Sequence, residues 1–111
     1  MGKGQGGTQP IEYTIKATPS ARDSLAAITD LSTRKKIIDK IDGLKKDPFL
    51  QGKPLTGPLL GYRSIPAAGR YRVIYKIVND LVVIFLAGIR KEGDHKDIYQ
   101  TMMKLVNSGI L

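Results

Sequence analysis

The chain has 111 residues and a formal net charge of +8, with no cysteine, no tryptophan and one histidine. This excludes disulfides, thiolate metal centres and histidine-rich metal sites, and it makes a polyanion such as nucleic acid the natural partner. The length fits one domain with a modest core, and no apolar run approaches the roughly 20 residues of a membrane span.

Residues 1–10 are rich in glycine and polar side chains and lack the apolar core of a signal peptide. They are expected to form a flexible N-terminal tail before a single domain over residues 11–111, in a cytoplasmic protein. Ile11, Tyr13 and Ile15 alternate with Glu12, Thr14 and Lys16, the pattern of a half-buried strand. Thr18-Pro19 suits a helix start, with threonine as N-cap and proline at the first helical position. Ala21, Leu25 and Ile28 then fall at helical spacing. A break over residues 30–32 follows, where Ser32 or Thr33 is expected to cap the next helix.

The second helix should run to about Lys46, with Ile37, Ile38, Ile41 and Leu44 as its apolar stripe. The two helices form an αα-hairpin over one sheet face. Lys35, Lys36 and Lys40 crowd the outer surface. They read as a phosphate-binding strip or, alternatively, as a solvated helix face. Asp47-Pro48 stops the helix. Residues 48–61 hold three glycines and three prolines and read as a loop, whose Lys53 is a candidate to flank a substrate groove. Residues 62–65 are expected as a short strand and residues 66–69 as a turn.

Two apolar runs then flank a polar break at Asn79-Asp80, which is a hairpin signal. In the first, Tyr71, Val73, Tyr75 and Ile77 share one face, and Arg70, Arg72, Ile74 and Lys76 the other. An arginine in such a strand needs a partner or a polar cleft. The second run, residues 81–87, is apolar throughout and reads as a central strand. A polar loop over residues 88–96 leads to a last helix over 97–106, ended by Asn107-Ser108-Gly109. The fold class is α+β, a small twisted, mainly antiparallel sheet packed by the helical hairpin, in the order β-α-α-β-β-β-α. Alternation in the simplest register puts Arg63 and Arg72 on the same side.

No phosphate-binding glycine loop and no serine or cysteine nucleophile motif is present. Glu92, Asp94 and Asp97 read as charge partners of Arg90 and Lys91, so no metal and no cofactor is expected. What remains is a cluster of cations: Arg63, Arg72, Arg90 and Lys91. RNA cleavage needs little more. The 2′-hydroxyl attacks the adjacent phosphate, the 5′-oxygen leaves, and fixed guanidinium groups stabilise the charge that builds on phosphorus.

The series G-Y-R, R-Y-R-V-I-Y, V-V-I-F, G-I-R-K and D-I-Y resembles the RelE/ParE toxin superfamily of type II toxin–antitoxin pairs, over nearly the whole chain. The resemblance implies a toxin that cleaves translated mRNA in the ribosomal A site. It matches Arg63, after Tyr62, to a basic residue of the catalytic set, assigns Arg72 and Arg90 to the scissile phosphate and Tyr99 to a base, and makes His95 a candidate general base, with Lys91 as a second candidate. Lys35, Lys36, Lys40 and Lys53 become candidate contacts with RNA or the ribosome. Ile65 stands where the best-known members have a second basic residue. The partners implied are a cognate antitoxin, in a heterotetramer or larger complex, with ribosome and mRNA. A gyrase inhibitor of the ParE branch and a non-catalytic RNA-binding module are the alternatives.

Overall fold

The computed structural model describes residues 12–109. The tail expected over residues 1–10 lies outside them, as does Ile11. The elements follow as β1 (Thr14–Ala17), α1 (Pro19–Ala26), α2 (Leu31–Asp42), β2 (Lys53–Pro54), β3 (Arg63–Ala68), β4 (Tyr71–Val78), β5 (Leu81–Ile89) and α3 (Ile98–Ser108), with short 3-10 turns at Gly43–Lys45 and Gly57–Leu59. The α+β class and the element order are as expected, with one addition. The two-residue β2 lies inside the segment read as a loop, where Lys53 and Pro54 pair with Ser64 and Arg63.

The helix caps show why the chain turns where it does. The Thr18 side chain accepts the Ala21 N–H at 3.1 Å, with Pro19 opening α1. The same hydroxyl donates to the Phe85 carbonyl at 3.3 Å and ties α1 to β5. Helix α2 is capped by Asp30, not by Ser32 or Thr33. Its carboxylate accepts the Ser32 N–H at 3.2 Å and the Thr33 hydroxyl at 2.7 Å, and Ser32 and Thr33 lie within the first turn of the helix. Asp97 caps α3, and Gly109 ends it in the left-handed region at φ 73°.

The strands lie in the order β1-β5-β4-β3-β2, antiparallel except for the parallel β1/β5 pair. The β4–β5 hairpin turns at Asn79-Asp80, with Asn79 at φ 56°, a conformation asparagine tolerates. Its alternation is the one the sequence showed. Val73, Tyr75, Val82 and Ile84 face α1 and α2, where they pack on Ala21, Ile28, Ile37, Ile41 and Leu44. Ile74 and Leu86 face the other way and pack on Ile98, Met102 and Leu59. Each such fully buried aliphatic side chain contributes roughly 1.5–3 kcal/mol. Helix α3 thus closes part of the sheet face opposite the helical hairpin, and a cleft occupies another part.

Strand β3 continues through Pro66 to Ala68, where a turn was expected. Its outer side is unpaired beyond β2, and a proline is tolerated there. The β3–β4 register corrects another expectation. Arg63 lies opposite Tyr75 and Pro66 opposite Arg72, so Arg63 and Arg72 are on opposite faces of the sheet.

Candidate functional site

The site lies where β4, β5 and α3 meet. Arg72 is the second residue of β4 and points to the α3 side. Arg90 follows β5, and its N–H donates to the Arg70 carbonyl at 2.9 Å, which holds the two strands together at this end. Tyr99 is in the first turn of α3. These three side chains line one cleft of about 670 Å3, with Lys53, Ser64 and Pro66 among its other walls. An adjoining cleft of about 430 Å3 is lined by Arg70, Arg72, Arg90, Lys91, Glu92 and Asp94.

The guanidinium of Arg72 donates to the carbonyls of Gly69 at 3.2 Å and Tyr71 at 3.0 Å. Among the described residues no carboxylate stands within 4.0 Å of it, so its charge is available to a ligand. Arg90 is 3.5 Å from Glu92 and Lys91 is 4.0 Å from Asp94. Both contacts are long and solvent-exposed, so a bound phosphate can displace them at small cost. Asp94 is held below the usual carboxylate range, chiefly by the Lys96 N–H and against the opposing effect of burial.

Tyr99 is fixed at both ends. Its N–H donates to Asp97 at 2.9 Å, and its hydroxyl is 2.8 Å from that of Ser64. Asp97 is 5% exposed and also accepts the Lys91 N–H. One carboxylate therefore joins the loop after β5 to the start of α3, and it sets Arg90 and Lys91 relative to Tyr99. The sequence placed Asp97 at the head of the helix and among the acidic residues. An aspartate directly before an apolar helical run is the signal of a cap, but its bond to Lys91 has no sequence signature. With Asp97 occupied by backbone N–H groups, Glu92, Asp94 and Asp97 form no ligand set among the described residues.

The cleft floor depends on Gly52. It has φ 65°, and a Cβ there would sit 2.6 Å from the Ser64 carbonyl oxygen and 2.8 Å from the Tyr75 hydroxyl. Only glycine lets the chain run this close to β3.

The other expected site residues lie elsewhere. Arg63 is on the helical-hairpin face, where it donates to the carbonyls of Phe49 at 3.0 Å and Gln51 at 3.1 Å. Its guanidinium also sits 5.9 Å from the Phe49 ring centroid. The Tyr75 hydroxyl lies 3.0 Å from the Pro48 carbonyl and 2.7 Å from that of Gln51, so arginine and tyrosine together anchor this loop. Ile65 is buried in the core beside them. His95 has a side chain 79% exposed, 3.6 Å from Asp94, and lines none of the clefts described here. Lys35 pairs with Asp39 at 3.2 Å in a solvated i,i+4 contact, and Lys40 lines none of the clefts. Lys36 borders a third cleft with Arg70 and Lys91.

A family model described as the ParE toxin of the type II toxin–antitoxin system, parDE, matches residues 15–94. Among solved structures, the toxin–antitoxin complex RelBE2 from Mycobacterium tuberculosis has a chain 29% identical to this one, with a TM-score of 0.67 over 76% of this chain and 98% of that one. The YoeB/ParE toxin from Agrobacterium tumefaciens is 25% identical, with a TM-score of 0.60 over 70% of this chain and 99% of that one. A chain of the chromosomal ParDE system from P. aeruginosa is 18% identical, with a TM-score of 0.62 over 70% of this chain and 96% of that one, a likeness of fold. No curated protein matches the sequence.

Proposed function

The chain belongs to the ParE toxin family, within the RelE/ParE superfamily of type II toxins, and from that membership we propose that this toxin is a ribosome-dependent mRNA interferase. The supporting observation is the convergence of Arg72 of β4, Arg90 of the loop after β5 and Tyr99 of α3 on one cleft. The RNA brings its own nucleophile, so the protein's task is to place the scissile phosphate and to neutralise the charge of the transition state. Arg72 and Arg90 supply two guanidinium forks for the phosphate oxygens. Tyr99, tethered to Ser64, presents its ring for a base to lie on. Of the two groups suited to exchange a proton with the reacting oxygens, Lys91 borders the adjoining cleft and His95 does not. As an ammonium ion, Lys91 can protonate the leaving 5′-oxygen.

The partner in this reading is an antitoxin that covers the basic cleft. The related M. tuberculosis structure is a toxin–antitoxin complex, and the YoeB–YefM complex of Staphylococcus aureus is a heterotetramer. The reaction takes place on the ribosome, in the cytoplasm. Among the described residues no helix is long and apolar enough to cross a membrane.

A second reading has its own observation. Arg63 faces away from the cleft and Ile65 is buried, so the cation set of an interferase is reduced, as suits a ParE-type gyrase inhibitor. Mapping the ends of a translated message beside a gyrase supercoiling assay decides between them. New 5′-hydroxyl ends within codons support the interferase. An intact message with blocked supercoiling supports the inhibitor.

A further inference from the structure

Three clefts at this end of the sheet share walls. Arg72 and Arg90 line both the 670 Å3 and the 430 Å3 clefts. Arg70 and Lys91 line the 430 Å3 cleft and a third of about 390 Å3, which Lys36 and Thr33 of α2 complete. We infer that the three form one track for single-stranded RNA, and that the third cleft is a nucleotide subsite beyond the reaction centre. In this subsite Lys36, Arg70 and Lys91 hold a phosphate, and Tyr71 and Ile89 support the base. The inference rests on the RNA-cleaving reading and extends it around the β3–β4 turn onto the helical-hairpin side.

Charge supports the track. Lys36, Lys53, Arg70, Arg72, Arg90 and Lys91 line it, against the carboxylates of Glu92 and Asp94 alone. Both carboxylates sit beside Arg90 and Lys91. Lys36, Lys53, Arg70 and Arg72 have no ion pair within 4.0 Å among the described residues. A row of uncompensated cations that bends with a surface is an electrostatic guide for a polyanion. Shape supports it too. The third cleft is not a bare charged rim, because Ala68, Tyr71 and Ile89 give it an apolar wall. Cations beside an aromatic surface are the two components of single-strand binding. The split among the lysines of α2 follows. Lys36 belongs to the track, whereas Lys35 is tied to Asp39 and Lys40 lines none of the clefts.

The test is fluorescence anisotropy of the full chain with non-cleavable 2′-O-methyl oligouridines of about four and about ten nucleotides, within the range of single-strand site sizes. Wild type should bind the longer probe at least ~10-fold more tightly at low salt. The double variant Lys36→Ala/Arg70→Ala should lose that advantage and keep its binding of the short probe. Its salt slope with the long probe should fall by about 0.7, as for the one single-strand phosphate contact that the subsite supplies. Both side chains are exposed, so the variant should melt as wild type does. Lys35→Ala/Lys40→Ala should change nothing. If the length advantage survives in the Lys36/Arg70 variant, or is missing in wild type, the track is overturned. Absence of binding at either length also overturns it, and cleavage of translated message by the same preparation then shows whether the RNA-cleaving reading stands.

Discussion

The Tyr99 hydroxyl lies 2.8 Å from the Ser64 hydroxyl oxygen, a bond that joins the first turn of α3 to β3 across the cleft wall. Ser64 is 6% exposed and its backbone pairs with Lys53 on one side and Ile74 on the other, so the tether starts from a fixed point. Ser64→Ala and Tyr99→Phe should each cost about 1 kcal/mol of stability. Because they remove the same bond, the double variant should cost clearly less than the sum, with a coupling of at least about 0.5 kcal/mol in urea denaturation. Full additivity would show that the two hydroxyls act separately.

Arg72 and Arg90 carry the proposed chemistry. Arg72→Ala and Arg90→Ala should each slow cleavage of translated message by on the order of 10²–10³-fold, the usual loss for one transition-state donor. Arg72→Lys should recover only part of the rate, since an ammonium cannot replace a bidentate fork. Among the described residues Arg72 bonds only to two nearby carbonyls, so far-UV circular dichroism should stay unchanged. Wild-type rates in both alanine variants would place the reaction elsewhere.

Arg63 should behave in the opposite way. Its guanidinium holds the loop carbonyls of Phe49 and Gln51. Arg63→Ala should destabilise the protein by about 1–3 kcal/mol, roughly 4–8 °C in melting temperature for each kcal/mol in a domain of this size. The cleavage rate measured well below the transition should match wild type. A large rate loss without a stability loss would return Arg63 to the site.

The Asp30 cap predicts a pH dependence. The Thr33 hydroxyl, and after it the backbone N–H groups of Ser32 and Thr33, hold this carboxyl below its ordinary value of 3.8. A lowered folded-state pKa means that the ionised form stabilises the fold. That stabilisation is complete above the ordinary value and is lost as pH falls through the lower, folded-state value. Thermal melts should therefore show Asp30→Ala less stable than wild type at pH 7, with the gap narrowing on acidification below about pH 4. A gap that stays constant would mean that the ionised carboxylate adds nothing to the cap.

The hairpin core was legible because its signal is local. Alternation over β4 assigns Val73 and Tyr75 to one core and Ile74 to the other without knowledge of any partner strand. The Thr18-Pro19 start is equally local. The side on which Arg63 falls is not local, since it depends on the pairing of β3 with β4. In the observed register, odd-numbered positions of both strands share one face, at least up to the irregularity near Pro66. A slip of one residue would have brought Arg63 beside Arg72, and nothing within either strand's own sequence excludes that slip. The grouping of Arg72 with Arg90 was expected from the cluster of cations left once other chemistries were set aside, and the place of Tyr99 beside them from the resemblance alone. The bonds that fix this arrangement, from Asp97 to Lys91 and from Ser64 to Tyr99, join residues with no shared pattern in the sequence.

The parallel pairing of β1 with β5 bears on how the chain survives its own synthesis. Strands β3, β4 and β5 are joined by adjacent turns and can pair as soon as they exist. Strand β1 must close a long loop, as the bond between Thr18 and Phe85, 67 positions apart, makes plain. Until it docks, the outer side of β5 is an unpaired apolar edge, the kind of surface on which other chains nucleate aggregates. The four residues of β1 act as a guard over that edge. A chain lacking residues 12–17 would retain every side chain of the cleft and would be expected to self-associate through the bared edge at residues 81–84.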